Sequence, residues 1–374
     1  MAVSFPENKM PEKARTNMFA RQPIICEALI KTILGKNVAG INDYFSNIKQ
    51  TVSGKSKFGI LILKLKMVYY RYAYEFSFKE FYNYNFEYKK KKDCLNYVSG
   101  YEMMRLYNEI YFDTETYNYF ADKRETYNLY KKYYKRDVIY VSSLQDLGDF
   151  SVFVQEHKKF IAKSPLQNNG KGIFVVDLTD GQTKAYDVFS KCVAQGGMLI
   201  EEFINQAKEM SCLSINSVNT VRFITYYKDN HLTMITAFLR MGLGNSYVDN
   251  ASQGGLFAGI DINTGKLTTD AYKKNINDYY LKHPDTDVAI KGFQLPEWGK
   301  LLEVVRGIVT VYPEKTFVGW DFAYGDKGWV LIEANGGPGI YAAQMSNQTG
   351  LRKAFSDTVF NDSKYAKKYK TAKL

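Results

Sequence analysis

The sequence predicts a mixed α+β protein with antiparallel hairpins and a mostly helical N-terminal part. Before about residue 140, segments are long, aromatic and charged, with apolar residues at helical spacing and few Gly or Pro residues. After that point, short β-branched and aromatic runs alternate with turn residues, a pattern typical of strands. No GxGxxG motif follows a strand, so a doubly wound dinucleotide-binding fold is not predicted.

Hydrophobic periodicity predicts the elements. Residues 97–113 form a predicted helix with Met103, Leu106, Tyr107 and Ile110 on one side. Two further helices are predicted at residues 180–197 and 295–313. Strands are predicted at residues 159–163, 172–178, 197–204, 219–227, 232–240, 256–262, 316–324 and 328–335.

The most apolar stretch of the chain, residues 58–76, is interrupted by Lys64, Lys66 and Arg71. It is too charged to span a bilayer. A buried amphipathic helix is the favoured interpretation, and a helix lying on a membrane surface is the alternative.

Composition places the chain among cytoplasmic globular proteins. The 374 residues are 45% hydrophobic, enough for two or three domains with large cores. The four cysteines, Cys26, Cys94, Cys192 and Cys212, are scattered and form no CxxC pair, so we expect reduced thiols. The first residues lack the apolar region of a secretory signal.

The formal net charge is +11, with dense basic runs at residues 87–94, 130–137 and 363–374. Such runs attract anionic lipid, acidic polysaccharide and nucleic acid, so they allow contact with the inner face of a membrane. No motif predicts specific nucleic-acid binding. General enrichment of the chain in lysine explains most of the charge.

Three oxygen-bearing side chains stand in the last predicted hairpin. Asp321 lies on the first strand, and Glu333 and Asn335 lie two apart on the second, so the latter two share a face. The register of the hairpin can place Asp321 on that face too. Hard oxygen ligands of this kind suit Mg²⁺ bound with phosphate. Alone the pattern is weak, and an exposed acid among turn residues is the alternative.

Upstream segments have features of a phosphate and base site. Lys163 ends a predicted strand, and a polar loop with Gly170, Lys171 and Gly172 follows it. Because a strand follows the loop, this is not a P-loop, although its glycines allow close approach of backbone N–H groups to phosphate. Residues 197–204 form an apolar strand that runs into two glutamates, where free backbone groups could pair with adenine.

This order of features resembles the ATP-grasp superfamily, whose members clamp ATP between two α+β subdomains. The resemblance covers roughly residues 115–355. The metal hairpin is similar to that of D-alanine–D-alanine ligases and ribosomal-protein glutamate ligases. Residues 219–255 resemble a glutamate-ligase stretch, which implies that Arg222 and Arg240 clamp phosphate and acyl phosphate and that Asn250 holds the γ-phosphate or metal.

The order of "SVNTVR", "VDNASQGGLFAGIDINTG" and "GWDFAYGDKGWVLIEAN" is most similar to the sugar-transfer-associated ATP-grasp group, usually linked to capsule or exopolysaccharide loci. The resemblance implies four segments: a helical N-terminal region, two ATP-grasp subdomains and a basic tail. Their expected bounds are 1–114, 115–200, 201–360 and 361–374.

The resemblance also implies an ATP site and an Mg²⁺ site. Asp321, Glu333 and Asn335 would hold the metal, and Lys163 with the glycine-rich loop would hold phosphates. The implied adenine hinge is Glu201, Glu202, Phe203 and Ile204. Two assignments have a structural alternative. Lys123 is either the first ATP-binding lysine, ahead of the glycine-rich loop, or a solvated lysine of a helix. Likewise, Glu209 is the ribose-contacting acid or a surface helix residue.

The activity implied is a carboxylate–amine ligase that works through an acyl phosphate, without a Ser or Cys nucleophile. The leading substrates are a carboxylated sugar and an amine, during surface-polysaccharide synthesis. Three alternatives remain open: a peptide or amino-acid ligase, a kinase on the same fold, and a non-catalytic nucleotide-binding scaffold.

Overall fold

The computed structural model describes residues 18–49, 52–110, 119–166, 172–244, 255–312 and 315–361, without the side chains of 18–20 and 108–110. Within these ranges the helices are α1 (Met18–Ile33), α2 (Ile41–Asn47), α3 (Lys57–Tyr74), α4 (Phe78–Asn83), α5 (Lys91–Leu95), α6 (Gly100–Ile110), α7 (Lys123–Tyr134), α8 (Leu147–Glu156), α9 (Ala185–Ala194), α10 (Lys208–Ser211), α11 (Trp298–Ile308), α12 (Ile340–Asn347) and α13 (Arg352–Ser356). The strands are β1 (Val138–Val141), β2 (Lys159–Lys163), β3 (Ile173–Asp177), β4 (Met198–Glu202), β5 (Thr220–Lys228), β6 (His231–Met241), β7 (Leu256–Gly259), β8 (Ala271–Tyr272), β9 (Tyr279–Tyr280), β10 (Thr316–Gly325) and β11 (Gly328–Gly336).

One compact unit comprises residues 1–109, 275–277 and 348–374. Its described part is helical, which confirms the helical N-terminal region. The predicted helix at 58–76 is α3, and its buried side includes Leu63, Met67 and Val68. Helices α1 and α3 are antiparallel, because Arg21 at the start of α1 donates to the Ala73 carbonyl at the end of α3 (3.0 Å).

The second unit comprises residues 110–274 and 278–347 and contains both sheets. The first sheet has four strands in the order β1-β4-β2-β3, with each neighbouring pair antiparallel. Its core joins Phe160 and Ile200 of the sheet to Phe150 of α8 and Phe189 of α9. Strand β4 therefore lies inside the sheet, with β1 on one side and β2 on the other.

The second sheet has seven antiparallel strands in the order β11-β10-β5-β6-β7-β8-β9. One face packs against α7 and α11 and forms a large core that includes Phe223, Trp298, Trp320 and Leu331. Hydrophobic burial on this face fixes which side chains of β5, β10 and β11 point the other way. The predicted boundary between segments 115–200 and 201–360 falls in this unit and stays a prediction.

All eight predicted strands and the three helices predicted by periodicity are present, with small differences at their ends. Strands β1, β8 and β9 were not predicted, nor were helices α8 and α12 as separate elements. In the described part of the chain, no helix combines the length and apolar character needed to cross a bilayer.

Candidate active site

Three side chains predicted to bind a metal lie on one face of the seven-stranded sheet. Asp321 of β10 is the cross-strand partner of Glu333 of β11, and Gly319 is the partner of Asn335. Because side chains alternate along a strand, the two acids and the asparagine share a face. Asn335 Nδ2 lies 3.5 Å from Asp321 Oδ2. The predicted convergence of positions is confirmed, whereas metal binding stays a prediction.

A β-bulge directly follows this triad. Asp321 pairs with Glu333, but the next residue of β10, Phe322, pairs with Leu331, so Ile332 is the extra residue. The bulge allows Glu333 to face the site while Leu331 stays completely buried in the core. Bulges commonly re-aim side chains beside functional sites.

Asp321 is only 1% exposed and contacts two guanidinium groups. Arg222 contacts it through Nε and Nη2, and Nη2 lies 2.7 Å from Oδ2. Arg240 Nη2 lies 2.7 Å from the same oxygen. Burial raises the pKa of Asp321, but the two arginines outweigh it and hold the pKa below its usual value. The predicted phosphate clamp therefore pairs with a predicted metal ligand.

Lys123 is the first residue of α7, and Asp122 is its N-cap, accepting a hydrogen bond from the Arg124 backbone N–H (2.8 Å). The Lys123 side chain is buried, with Nζ 3.7 Å from Glu333 Oε1. Burial lowers the pKa of Lys123; Glu333 raises it, and Lys163 lowers it further. The alternative of a solvated helix lysine is therefore wrong, since the side chain is buried beside Glu333.

Lys163 is also buried and forms an ion pair with Glu201 Oε1 at 2.5 Å. The second oxygen of Glu201 accepts from Arg136 Nη2 at 2.6 Å. Burial raises the pKa of Glu201, but Lys163 and Arg136 lower it below its usual value. Sequence reasoning missed Arg136, which stands in the basic run 130–137 that was attributed to the chain's general enrichment in lysine. It is in fact buried.

The predicted adenine hinge differs in part from expectation. Backbone groups of β4 are not free, because β4 pairs with β1 and β2 along its length, up to Glu202 opposite Phe160. The Glu202 carboxylate contacts Lys327 Nζ at 3.0 and 3.1 Å. The chain leaves the sheet only at Phe203 and Ile204, both half-buried, so only backbone after β4 can meet a base.

Further predicted residues are not members of this cluster of charged side chains, or lie outside the described residues. Glu209 is exposed on the short helix α10, as its surface-helix alternative predicts. Gly172 has a left-handed backbone with φ of 66°, which favours glycine there. Gly170, Lys171 and Asn250 lie outside the described residues, and their roles stay predictions.

The charges favour a polyanion. The cationic side chains outnumber the carboxylates by five to three; the cations are Lys123, Arg136, Lys163, Arg222 and Arg240, and the carboxylates are Glu201, Asp321 and Glu333. Two carboxylates and an amide oxygen fit Mg²⁺, which completes its shell with water and phosphate. Because arginines already contact Asp321, the site fits a metal that arrives with phosphates better than a bare ion.

The fold and this site define an ATP-grasp protein. A model of the family "Sugar-transfer associated ATP-grasp" matches residues 102–359, more than half of the sequence. The chain therefore belongs to the sugar-transfer associated ATP-grasp family. A comparison with curated proteins found no match.

The solved structures to which this chain is similar share little sequence identity with it. D-alanyl-alanine synthetase A from Vibrio cholerae is 12% identical (TM-score 0.40; 67% of this chain, 63% of that one covered). Phosphoribosylamine–glycine ligase from Thermotoga maritima is 11% identical (0.43; 76% and 66%). N5-carboxyaminoimidazole synthetase from Staphylococcus aureus, complexed with ADP, is 11% identical (0.38; 62% and 50%). The chain spans less than two thirds of each, and with TM-scores this low the fold assignment rests on the family match.

Proposed function

We propose that the protein is an ATP-dependent ligase that joins a carboxylate to an amine through an acyl phosphate. One observation carries the proposal: oxygen ligands suited to Mg²⁺ and two arginines meet on one face of the seven-stranded sheet. Two buried lysines accompany them: Lys123 lies beside Glu333, and Lys163 pairs with Glu201 on the four-stranded sheet. Membership of an ATP-grasp family supports the same chemistry. A scaffold has no need of so many desolvated charges.

The reaction divides into two balanced steps. A carboxylate oxygen of the acid attacks the γ-phosphorus of ATP, and ADP leaves. The amine nitrogen then attacks the acyl carbon, inorganic phosphate leaves, and the amine proton passes to phosphate or water. Such transfers depend mainly on positioning and on neutralising charge.

Each residue has a proposed part in these steps. Lys163 and Lys123 bind phosphate oxygens, and Arg222 and Arg240 stabilise charge on the transferring phosphoryl group. Losing a contact of this kind typically costs about 3–4 kcal/mol in the transition state. When bound, Mg²⁺ on Asp321, Glu333 and Asn335 supplies further neutralisation of phosphate charge.

The proposed substrates are a carboxylated sugar, such as a uronic acid, and an amino acid or other amine. The sugar is suggested by the family's description as sugar-transfer associated. A peptide ligase would use the same site with an amino-acid carboxylate, so the substrate has to be tested directly.

The test measures the release of ADP and phosphate from ATP for a series of uronic acids, each combined with a series of amino acids. The proposal predicts both products only when acid and amine are present together. ADP with a phosphorylated acceptor would instead indicate a kinase. Absence of turnover with every pair, despite tight ATP binding, would favour a scaffold.

Glu333→Gln should abolish turnover while the fold stays intact. The substitution removes the negative charge of a proposed metal ligand, which is also the ion-pair partner of Lys123. Glu303→Gln, at an exposed position of α11, is the matched control and should be fully active. Full ATP-dependent activity in Glu333→Gln would show that the metal assignment is wrong.

A further inference from the structure

Arg136 uses all of its donors inside the protein. It makes five hydrogen bonds: Nε and Nη2 to Glu201 Oε2 at 3.2 and 2.6 Å, Nη1 to the Tyr134 and Leu331 carbonyls at 3.3 and 2.5 Å, and Nη2 to the Ile332 carbonyl at 3.5 Å. Its side chain is 4% exposed. A guanidinium has five N–H groups, so this fork is fully occupied.

Two of these acceptors belong to the β-bulge of the metal strand. Ile332 is the residue without a cross-strand partner, and Leu331 precedes it. Bulges leave backbone groups outside the regular ladder, and buried groups of that kind need a partner. Arg136 satisfies the carbonyls of both residues, immediately before Glu333.

The remaining strong contacts of Arg136 are with Glu201 on the other sheet. Glu201 in turn holds Lys163, the proposed phosphate lysine, at 2.5 Å. One guanidinium thus joins the strand of Glu333 to the carboxylate that positions Lys163. The two sheets carry opposite ends of the proposed triphosphate site.

We propose that Arg136 is a positioning residue that fixes the metal strand relative to the phosphate lysine. This inference rests on the proposed function and adds a coupling to it. Mg²⁺ strengthens nucleotide binding only while Arg136 binds both the bulge carbonyls of β11 and the Glu201 carboxylate. Lysine cannot replace it, because an ammonium has three donors and lacks the planar fork.

The experiment measures the affinity for ADP with and without Mg²⁺ in wild type, Arg136→Lys and Arg136→Gln. Lys132→Gln removes an exposed charge from the same basic run and is the control. We expect Mg²⁺ to tighten ADP binding in wild type and in the control. In both Arg136 variants we expect this Mg²⁺-dependent gain to fall by about tenfold or more, the usual effect of losing a residue that orients metal ligands.

Near-UV circular dichroism and the unfolding midpoint separate positioning from stability. If Arg136 were merely structural, its variants would have a lower unfolding midpoint but the same ratio of ADP affinity with Mg²⁺ to that without Mg²⁺. That result would overturn the inference. Failure of both variants to fold would likewise assign Arg136 to stability alone. If wild type binds no ADP at all, the proposed function fails instead, so the two failures are distinguishable.

A separate observation concerns the helical unit. Five large apolar side chains are exposed at one end of the antiparallel pair α1 and α3: Ile30 (57%), Ile33 (58%), Leu34 (68%), Phe58 (73%) and Ile62 (39%). They belong to the end of α1 and the start of α3, which are neighbouring ends in an antiparallel pair of packed helices. We name these five residues the apolar end.

The charges around the apolar end are mostly positive. Lys31, Lys36, Lys57 and Lys66 are exposed, and residues 28–42 and 52–74 contain no Asp or Glu. The flanking acids are Glu27, which pairs with Lys31, and Asp43. Exposed apolar residues rimmed by lysines match the two attractions of an anionic membrane surface, apolar insertion and charge. A partner protein would need an interface both acidic and apolar to match this surface, whereas an anionic bilayer supplies both properties everywhere.

From this complementarity we infer that the apolar end docks on an anionic bilayer without spanning it. The test is co-sedimentation of the full chain with phosphatidylcholine vesicles, with and without phosphatidylglycerol, at low and physiological salt. We expect binding only to anionic vesicles, weakened by salt.

The double variant Ile33→Ser with Phe58→Ser should lose about tenfold or more of this binding, since each side chain contributes apolar area. The matched control is Tyr279→Ser with Leu281→Ser, two residues equally exposed in the other unit. Unchanged vesicle binding in the first variant overturns the inference. Concentration-dependent dimers that the variant abolishes, without vesicle binding, would identify a second copy as the occupant.

Discussion

At the scale of single residues, Asp321 has the most constrained position in the site. It is predicted to bind a metal, yet its carboxylate already contacts Arg222 and Arg240 in the protein alone. Each carboxylate oxygen has more than one lone pair, so a metal can share it with an arginine. The pair of arginines therefore holds Asp321 ionised in the protein alone.

Asp321→Asn should destabilise the protein by about 3–5 kcal/mol at neutral pH, because it leaves two largely buried guanidiniums without their carboxylate. The pKa of Asp321 is lowered from 3.8, so the stability it contributes is complete above pH 3.8 and is lost as pH falls through the lower folded pKa. Urea unfolding should show that the difference in unfolding free energy between wild type and Asp321→Asn shrinks only below that pH.

Asp326→Asn, at an exposed position of the β10–β11 turn, is the control and should have little effect at any pH. If the loss of unfolding free energy in Asp321→Asn stays constant through acid pH, the charge of Asp321 is not what stabilises the site.

Gly319 leaves room for Arg222. A Cβ there would lie 2.8 Å from Pro338 Cβ and 3.1 Å from Arg222 Cδ. Gly319→Ala should therefore cost about 1–3 kcal/mol of stability through overpacking and weaken ADP binding by displacing Arg222. Gly339→Ala is the control, since a Cβ there meets nothing within 4 Å. Equal ADP affinity in both variants would mean that Arg222 does not depend on this space.

What the sequence predicts at this scale follows from strand periodicity. The spacing of Glu333 and Asn335 places both on one face in any regular strand, and the structure has them so. Arg136 could not be predicted, because its four acceptors include three backbone carbonyls from two different parts of the chain. It stands near the exposed Lys131, Lys132 and Lys135, and nothing in the sequence distinguishes its side chain from theirs.

At the scale of elements, Lys123 is the first residue of helix α7, directly after the N-cap Asp122. Asp122→Ala should cost about 0.5–2 kcal/mol, the usual effect of losing a cap, and should weaken ADP binding because Lys123 is the next residue. Ser56→Ala is a matched control: Ser56 caps α3 by accepting from Gly59 N at 3.0 Å, in the other unit. It should cost similar stability and leave ADP affinity unchanged.

If both cap variants affect ADP affinity alike, the position of Lys123 does not depend on its cap. Denaturant unfolding and titration calorimetry on the same preparations give both quantities.

Long apolar runs were predicted as strands, whereas three short strands, β1, β8 and β9, were not. Strands β5, β6, β10 and β11 have nine or more residues, and their β-branched and aromatic runs are easily recognised. Strands β8 and β9 have two residues each, too few to show any period. Strand β1, "VIYV", is short and follows a basic run, and only pairing with β4 makes it a strand.

At the scale of the whole molecule, the site belongs entirely to the unit that holds both sheets. A ligand that binds only folded protein stabilises it, by about 2.7 kcal/mol at a hundred times its Kd. Mg²⁺ with ADP should therefore slow amide hydrogen exchange in β2, β4, β10 and β11. Helices α1 and α3 of the other unit serve as the internal control and should exchange unchanged. Protection confined to α1 and α3 would place nucleotide elsewhere.

The most direct measurement is a crystal structure with Mg²⁺ and a non-hydrolysable ATP analogue. We predict a metal at about 2.0–2.1 Å from oxygens of Glu333 and Asn335, the distance typical of Mg²⁺, and phosphate oxygens beside Lys163 and Lys123. A triphosphate bound away from Lys163, or a metal that contacts neither Glu333 nor Asn335, would contradict the assignment of this face as the catalytic site.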